Sequence, residues 1–211
     1  MPSSTLVSVL AVAGLIGGFG LLGRDLDRNS RPASWHTGPM DLLIRAATEA
    51  DLDAAGEVTV EAFVGDGHTS PDAQYVTLLR DARRRAAEAE LLVAVDPADL
   101  SRGPAGRVLG CVTLAVGGTE WADIATAEES EIRMLAAAAG ARGRGVGEAL
   151  VRATIARSRE LGLHGMAFST RPDMKAAHRI YERLGFRRAP ERDWRPRPEI
   201  ELWVYAMTFN P

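Results

Sequence analysis

"GARGRGVGEALVRA" (residues 140–153) carries three glycines at alternate positions, interleaved with two arginines. Val146 and Leu150 stand four residues apart in the apolar pattern that follows, so the glycines are predicted to lie at the start of a helix. The first N–H groups of a helix have no partner within it, and the helix dipole is positive there. A glycine loop at such a point suits a phosphate group, because no side chain blocks its approach.

The familiar phosphate-binding glycine motifs do not fit this stretch. The third glycine position of a dinucleotide fingerprint holds Glu148, and the lysine of a P-loop does not follow Gly145. The remaining pattern is R-x-x-G-x-G over residues 142–147, and the apolar run "EIRMLAAAAG" (131–140) before it is typical of a buried strand. The sequence therefore predicts strand, glycine loop and helix, with a plain structural turn carrying solvated arginines as the alternative.

The composition is that of a globular chain with one sizeable core. Of the 211 residues, 46% are hydrophobic and 25% are charged, and the formal net charge is −3. The chain has no excess of positive charge of the kind that nucleic-acid-binding proteins carry, so no nucleic-acid partner is expected. Cys111 is the single cysteine and lies in an apolar run, where a small buried hydrophobic role is expected. The four histidines and the scattered acids show no metal-ligand spacing, so no metal site is predicted.

The N-terminus differs from the rest of the chain. Residues 6–23 are apolar and uncharged, close to the lower limit of roughly 17 residues for spanning a bilayer. Residues 24–39 have the composition of a linker, so the chain divides into an apolar segment and linker (1–39) and a globular domain (40–211). The first segment has three interpretations: an extension that the fold does not need, a membrane anchor, or a signal peptide, against which the missing basic region argues. A cytoplasmic location is expected, with anchoring through residues 6–23 as the alternative.

Periodicity predicts an alternating series of strands and helices in the domain. Thr48 is expected to cap the first helix, Asp173 to cap the last, and Arg83, Arg84 and Arg85 to form a solvated face. The predicted strands cover residues 41–46, 91–96, 106–117, 131–138, 164–170 and 199–209, and the predicted helices cover residues 48–63, 71–90, 146–161 and 171–186.

This order of elements resembles the GNAT superfamily of acyl-CoA-dependent N-acyltransferases over about residues 40–209. Two motifs carry the resemblance: "EIRMLAAAAGARGRGVGEAL" (131–150) is similar to the family's strand and R-x-x-G-x-G loop, and "AAHRIYERLGF" (176–186) is similar to its A-x-x-x-Y-x-x-x-G-F helix. The resemblance implies an α/β fold with a mixed, mostly antiparallel sheet, a splayed central parallel pair and helices on both faces.

The resemblance also implies acetyl-CoA as co-substrate and assigns residues to it. The pantetheine arm would pair with the backbone of Leu135, Ala136 and Ala137 in the manner of an added strand. The pyrophosphate would be wrapped by Arg142, Gly143, Arg144, Gly145, Val146 and Gly147. Tyr181 matches the family's general acid, which protonates the leaving thiolate.

The general base is less determined by the pattern. Glu131 opens the strand that leads to the thioester, and we choose it as the group that deprotonates the acceptor's ammonium. Glu129 would point to the same face of the strand. A solvated strand-end Glu131 is the alternative. His178 lies three residues before Tyr181, and a surface position without a partner is favoured for it over a place at the cleft edge.

The function predicted from these features is an N-acetyltransferase acting on a primary amine of a small molecule or a protein. The alternative is an acyl-CoA-binding regulatory domain without turnover. The acceptor pocket is expected to come from the first two helices and the irregular loop at 118–128, which carry no readable motif. The sequence leaves open a homodimer and membrane contact through residues 6–23.

Overall fold

A computed structural model describes residues 35–36, 42–102 and 106–209. The nine strands of this part are β1 (Trp35–His36), β2 (Leu43–Ala46), β3 (Glu90–Val95), β4 (Val108–Val116), β5 (Glu129–Ala137), β6 (Gly165–Thr170), β7 (Arg187–Arg188), β8 (Trp194–Arg197) and β9 (Ile200–Thr208). Its five α-helices are α1 (Leu52–Gly65), α2 (Gln74–Arg80), α3 (Ala82–Glu88), α4 (Val146–Glu160) and α5 (Lys175–Arg183).

The strands form one mixed sheet in the order β1-β2-β3-β4-β5-β6-β9-β7, with β8 paired to β9. Among the described strand pairs only β5 and β6 run parallel. The predicted mostly antiparallel sheet with a central parallel pair is therefore confirmed. The short β1 pairs with β2 and lies on the N-terminal side of the predicted domain boundary at residue 40.

Helices cover both faces of the sheet, as predicted. On one face, Thr59 of α1 and Arg85 of α3 contact β4 through the side chains of Cys111 and Thr113. On the other face, Ser130 of β5 is hydrogen-bonded to Ser158 of α4 at 2.7 Å, and Phe168 of β6 packs on Tyr181 of α5. Cys111 is fully buried, which confirms its role as a small core residue.

The single helix predicted over 71–90 is wrong, because the structure divides it. Asp81 has ψ 69°, outside the helical range, and its carboxylate accepts a hydrogen bond from the Arg84 N–H at the start of α3. This break turns Arg85 inward, so the predicted solvated face is wrong for Arg85, whereas the side chains of Arg83 and Arg84 lie at the surface as predicted. Arg85 is fully buried and donates to Thr59, Thr113 and the Leu79 carbonyl at the end of α2.

Within the described ranges no helix is long and apolar enough to cross a membrane. The apolar segment 6–23 lies outside those ranges, as does most of the predicted linker at 24–39. Thr48 caps the start of the α1 region in a reciprocal capping box with Asp51, as the sequence predicted, through a short 3-10 turn that precedes the helix.

Candidate active site

The parallel strands β5 and β6 separate at their carboxyl ends. Their pairing runs from Glu129–Gly165 to Ile132–Phe168 and then stops. Beyond that point β5 remains paired with β4, and β6 remains paired with β9. Residues 133–137 of β5 therefore present an edge without a strand partner on the β6 side.

A β-bulge shapes this free edge. Met134 and Leu135 together lie opposite Val112, between the pairs Thr113–Arg133 and Cys111–Ala136. Met134 takes φ 51°, the only positive φ of a described residue other than glycine. The bulge precedes Leu135, Ala136 and Ala137, the residues predicted to pair with a pantetheine arm. The structure thus gives them the open edge that an added extended chain requires.

The glycine loop ends at the N-terminus of α4, a helix of 15 residues. Gly143 and Gly145 have φ 73° and 79°, a backbone region that favours glycine, and Gly145 is the helix N-cap. No side chain caps the helix. Within the described part of the chain, the backbone N–H groups of Gly143, Gly145, Val146, Gly147 and Glu148 donate no hydrogen bond.

This loop fits a diphosphate by chemistry and by space. A Cβ added at Gly143, Gly145 or Gly147 would meet no atom within 4 Å, so there is free space beside the loop backbone. The two arginines of the loop form partly exposed ion pairs: Arg142 with Asp66 at 2.7 Å, and Arg144 with Asp96 at 4.0 Å. Five unpaired N–H donors at a positive helix end are what an anion needs there.

Tyr181 lies on α5 within the aromatic core between the two helices of this face. Its ring centroid is 3.9 Å from that of Phe168 and 5.9 Å from that of Phe186. Burial raises the pKa of Tyr181 well above its ordinary value, so the phenol stays protonated at neutral pH. Its hydroxyl makes no hydrogen bond to any described residue.

An ion pair joins the helix of Tyr181 to the glycine loop. Arg183 of α5 donates to Glu148 in the first turn of α4 at 2.7 Å. Arg152 also binds Glu148, and these two arginines lower the pKa of that carboxyl. The structure therefore brings Tyr181, the glycine loop and the open strand edge to one region of the molecule.

Glu131 is fully buried, so the alternative of a solvated strand-end carboxylate is wrong. Its Oε2 accepts hydrogen bonds from the N–H groups of Ile124 and Ala125 at 2.8 and 3.1 Å. Its Oε1 has no hydrogen-bond partner and lies 3.7 Å from Nε of Arg133. Burial raises the pKa of Glu131 above its ordinary value. The neighbouring Glu129 is instead bound by Arg192.

Two smaller predictions about α5 are wrong. His178 is buried, with Nε2 3.3 Å from the Thr170 hydroxyl and its ring stacked on Trp203, and burial lowers its pKa. Asp173 does not cap the helix, because its carboxylate binds Arg171. The N-cap position is Met174, which provides no side-chain hydrogen bond to the helix.

No sequence pattern indicated Arg192 and Arg133, which bind the segment over Glu131. Arg192 donates to Ile124 O at 2.9 Å, and Arg133 donates to Trp121 O at 2.7 Å. Arg192 lies in a stretch of mixed charge without a motif, and Arg133 is the one cation in the apolar run 131–140, where nothing local indicates its partners. No group of three histidine, cysteine or acidic side chains among the described residues could hold a metal ion.

Comparison with solved structures shows the same fold in other proteins. A GNAT-family acetyltransferase from Staphylococcus aureus is 14% identical with a TM-score of 0.60, covering 79% of this chain and 98% of that one. The yncA protein of Salmonella typhimurium, solved with its cofactor acetyl-CoA, is 19% identical with a TM-score of 0.56, covering 81% and 95%. Ribosomal-protein-alanine N-acetyltransferase from Brucella melitensis is 24% identical with a TM-score of 0.54, covering 79% and 99%.

A search of curated proteins finds no match. The sequence model of the acetyltransferase (GNAT) family, in contrast, matches residues 57–186, which is more than half of the chain. This match includes the bulged strand, the glycine loop and the tyrosine helix. The predicted acetyl-CoA co-substrate is confirmed at the level of the family and of its acetyl-CoA-bound Salmonella structure. The chain therefore belongs to the acetyltransferase (GNAT) family.

Proposed function

We propose that the protein is an N-acetyltransferase that moves the acetyl group of acetyl-CoA directly to a primary amine of a small molecule or a protein. Acetyl-CoA supplies the acyl group as a thioester. The observation that carries the proposal is the hydroxyl of Tyr181, protonated and without a partner on a helix tied to the glycine loop.

Two sets of backbone groups would bind two parts of acetyl-CoA. The N–H groups of Gly143, Gly145, Val146 and Gly147 would hold the diphosphate, and the free edge of Leu135 to Ala137 would hold the amide-containing arm. Arg142 and Arg144 lie beside these N–H groups and are paired with Asp66 and Asp96 in this structure. Because these contacts do not depend on the acceptor, the proposal separates donor binding from amine selection.

Two side chains would transfer protons in the reaction, one as a general acid and the other as a general base. The Tyr181 Oη holds a proton that it would give to the departing sulfur. Because burial raises the pKa of the phenol further above the reference thiol pKa of about 8.5, this transfer is uphill, and the sulfur must depart within hydrogen-bond distance of Oη. Glu131 Oε1, raised in pKa by burial and without a hydrogen-bond partner, would take the proton of the acceptor's ammonium.

The test compares the removal of two tyrosine hydroxyls from the same aromatic cluster. Tyr181→Phe keeps the ring packing and loses no hydrogen bond, whereas Tyr205→Phe removes a hydroxyl that donates to Glu182 at 3.3 Å. Thiol release from acetyl-CoA is measured over a panel of amines, aminoglycosides, polyamines and peptide N-termini. We expect Tyr181→Phe to lower kcat by roughly 10²-fold to 10⁴-fold with unchanged acetyl-CoA binding, and Tyr205→Phe to stay near wild type.

Two results would contradict the proposal at different points. Near wild-type turnover of Tyr181→Phe, when chemistry limits the rate, would remove the acid role. Acetyl-CoA binding by the wild-type protein without thiol release for any amine would instead support a non-catalytic acyl-CoA-binding domain.

A further inference from the structure

The connection between β4 and β5 lies across Glu131 and is anchored at both ends. Trp121 is buried, and its Nε1 donates to Glu88 Oε2 at 2.9 Å. At the other end, Thr126 N donates to Glu129 Oε2 at 2.9 Å. The Thr126 carbonyl also lies against Gly117, where an added Cβ would come within 1.7 Å of it. Neither end can move far without breaking these contacts.

The four residues between the anchors, 122–125, are here called the flap. No side chain of the flap is buried: Ala122, Ile124 and Ala125 are half-buried, and Asp123 is exposed. A segment with so little apolar burial can open at low cost, without unfolding of the sheet.

Polar side chains from outside the flap hold it down. Glu131 accepts from the N–H groups of Ile124 and Ala125. Arg192, from the segment before β8, donates to the Ile124 carbonyl at 2.9 Å, and Arg133 pairs with Asp123 at 2.8 Å. Such bonds exchange readily for bonds to water, so the flap is closed by a few contacts of modest net strength.

Beneath the flap is a polar atom that the closed form does not satisfy. Glu131 Oε1 is buried without a hydrogen-bond partner, and leaving a buried acceptor unpaired is costly. An alkylammonium group is a donor that would satisfy it. With Glu131 fully enclosed, however, no acceptor can reach Oε1 while the flap is closed.

We infer that residues 122–125 form a flap over the acceptor-amine site, and that it must lift for a primary ammonium group to bind Glu131 Oε1. Arg192 is the latch, a positioning residue that acts through the Ile124 carbonyl. The inference rests on the proposed function for the identity of the occupant. The motion itself does not depend on it.

Amide hydrogen exchange tests the motion without any acceptor. In the wild-type protein we expect the Ile124 and Ala125 amides to exchange at least tenfold faster than the Ile132 amide of β5, because the flap opens without global unfolding. Arg192→Met should speed their exchange a further 5-fold to 10-fold, on the order of one lost hydrogen bond. The matched control is Arg195→Met in the same hairpin, since Arg195 binds Pro198 and Glu201 and not the flap.

Equal exchange rates for the flap and Ile132, or no response to Arg192→Met, would overturn the inference. Should Arg192→Met fold poorly, Arg192→Lys provides the same test, because its shorter side chain keeps a charge near Glu129 and loses the bond to Ile124. These readouts need no turnover, so their failure is distinguishable from failure of the proposed function.

Once an amine substrate is known, the KM values of Arg192→Met show whether Arg192 acts as a latch or has only a structural role. A larger open fraction lowers the apparent KM for the amine, so Arg192→Met should reduce it by about the factor seen in exchange. Its KM for acetyl-CoA should not change. A raised KM for the amine would contradict a latch.

Discussion

At the scale of single residues, the charged side chains that the core encloses set the chemistry of the molecule. Arg85 and Glu131 are both fully buried, and each has one polar atom without a hydrogen-bond partner, Nε and Oε1 respectively. The burial of Arg85 has a structural role, since its guanidinium joins the last turn of α2 to the sheet through Leu79 O and Thr113. Glu131 has no such full set of partners, and a perturbed buried carboxyl in this position indicates function.

The variant Glu131→Gln distinguishes the effect of the buried carboxylate on stability from its effect on catalysis. Burial raises the pKa of Glu131, so the folded state binds its proton more tightly than the unfolded state. Wild-type stability therefore falls as pH rises from the ordinary carboxyl pKa of 4.5 through the raised value, and this loss is absent from the variant. The glutamine amide oxygen still accepts from Ile124 and Ala125.

We accordingly expect the Tm of Glu131→Gln, relative to wild type, to increase between pH 4 and pH 8 in thermal melts, while its kcat at pH 8 drops by roughly 10²-fold or more. A variant that keeps full activity would show that Glu131 only positions the flap. A relative Tm that does not change with pH would show that its carboxyl is not perturbed.

At the scale of elements, the N-terminus of α4 shows why the glycines are needed and which of them can be tested. Gly143 and Gly145 hold left-handed backbone conformations, so a larger residue there strains the loop whatever it binds. Gly147 has an ordinary helical conformation with free space around it. A larger side chain at Gly147 should therefore occupy the proposed diphosphate site without disturbing the fold.

Gly147→Val should keep the Tm of the free protein close to wild type and remove most of the stabilisation by acetyl-CoA. For wild type, linkage gives about 2.7 kcal/mol at a hundredfold excess over the dissociation constant. The control, Arg152→Val on the same helix, should keep the full shift, because Glu148 is the hydrogen-bond partner of Arg152 among the described residues. Thermal shift with millimolar acetyl-CoA measures both, and an undiminished shift for Gly147→Val would place the cofactor elsewhere.

At the scale of the whole molecule, the sheet extends beyond the boundary that hydrophobic periodicity suggests. β1 pairs Trp35 with Ile44 and His36 with Leu43, although the strand pattern begins only at Met40. β1 has two residues and, among the described strands, pairs with β2 alone. The candidate site lies at β5 and β6, and β2, β3 and β4 separate it from β1.

A protein that begins at Met40 should therefore fold, remain soluble and keep its acetyl-CoA shift. We expect it to lose on the order of 1 kcal/mol of stability with the two β1 residue pairs. A protein that begins at Ala33 keeps β1 and serves as the control in urea denaturation. Insolubility of the Met40 form alone, beside a soluble full-length chain, would show that the removed residues pack on the domain.

Local sequence was sufficient to predict the features that depend on neighbouring residues alone, namely periodic strands and helices and their ends. The order of strand, glycine loop and helix could be predicted from local sequence. Apolar periodicity indicates β5 and α4, and the left-handed N-cap of α4 favours a glycine at position 145. The ends of α4 and α5 followed for the same reason, since Gly162 and Gly185 adopt φ 70° and 96° there. Even the separation of the central strands was available, although only through resemblance to a family.

Tertiary structure alone decided which charged and polar side chains are buried. Arg85 is enclosed by Thr59 and Thr113, and His178 by Trp203, partners far along the chain that no local pattern indicates. The flap covers Glu131 because Arg192, 68 residues from Ile124 in sequence, binds the connection between β4 and β5. Periodicity shows which face of an element is apolar, but burial of a charge depends on which distant groups fold against it, and that is a property of the assembled core.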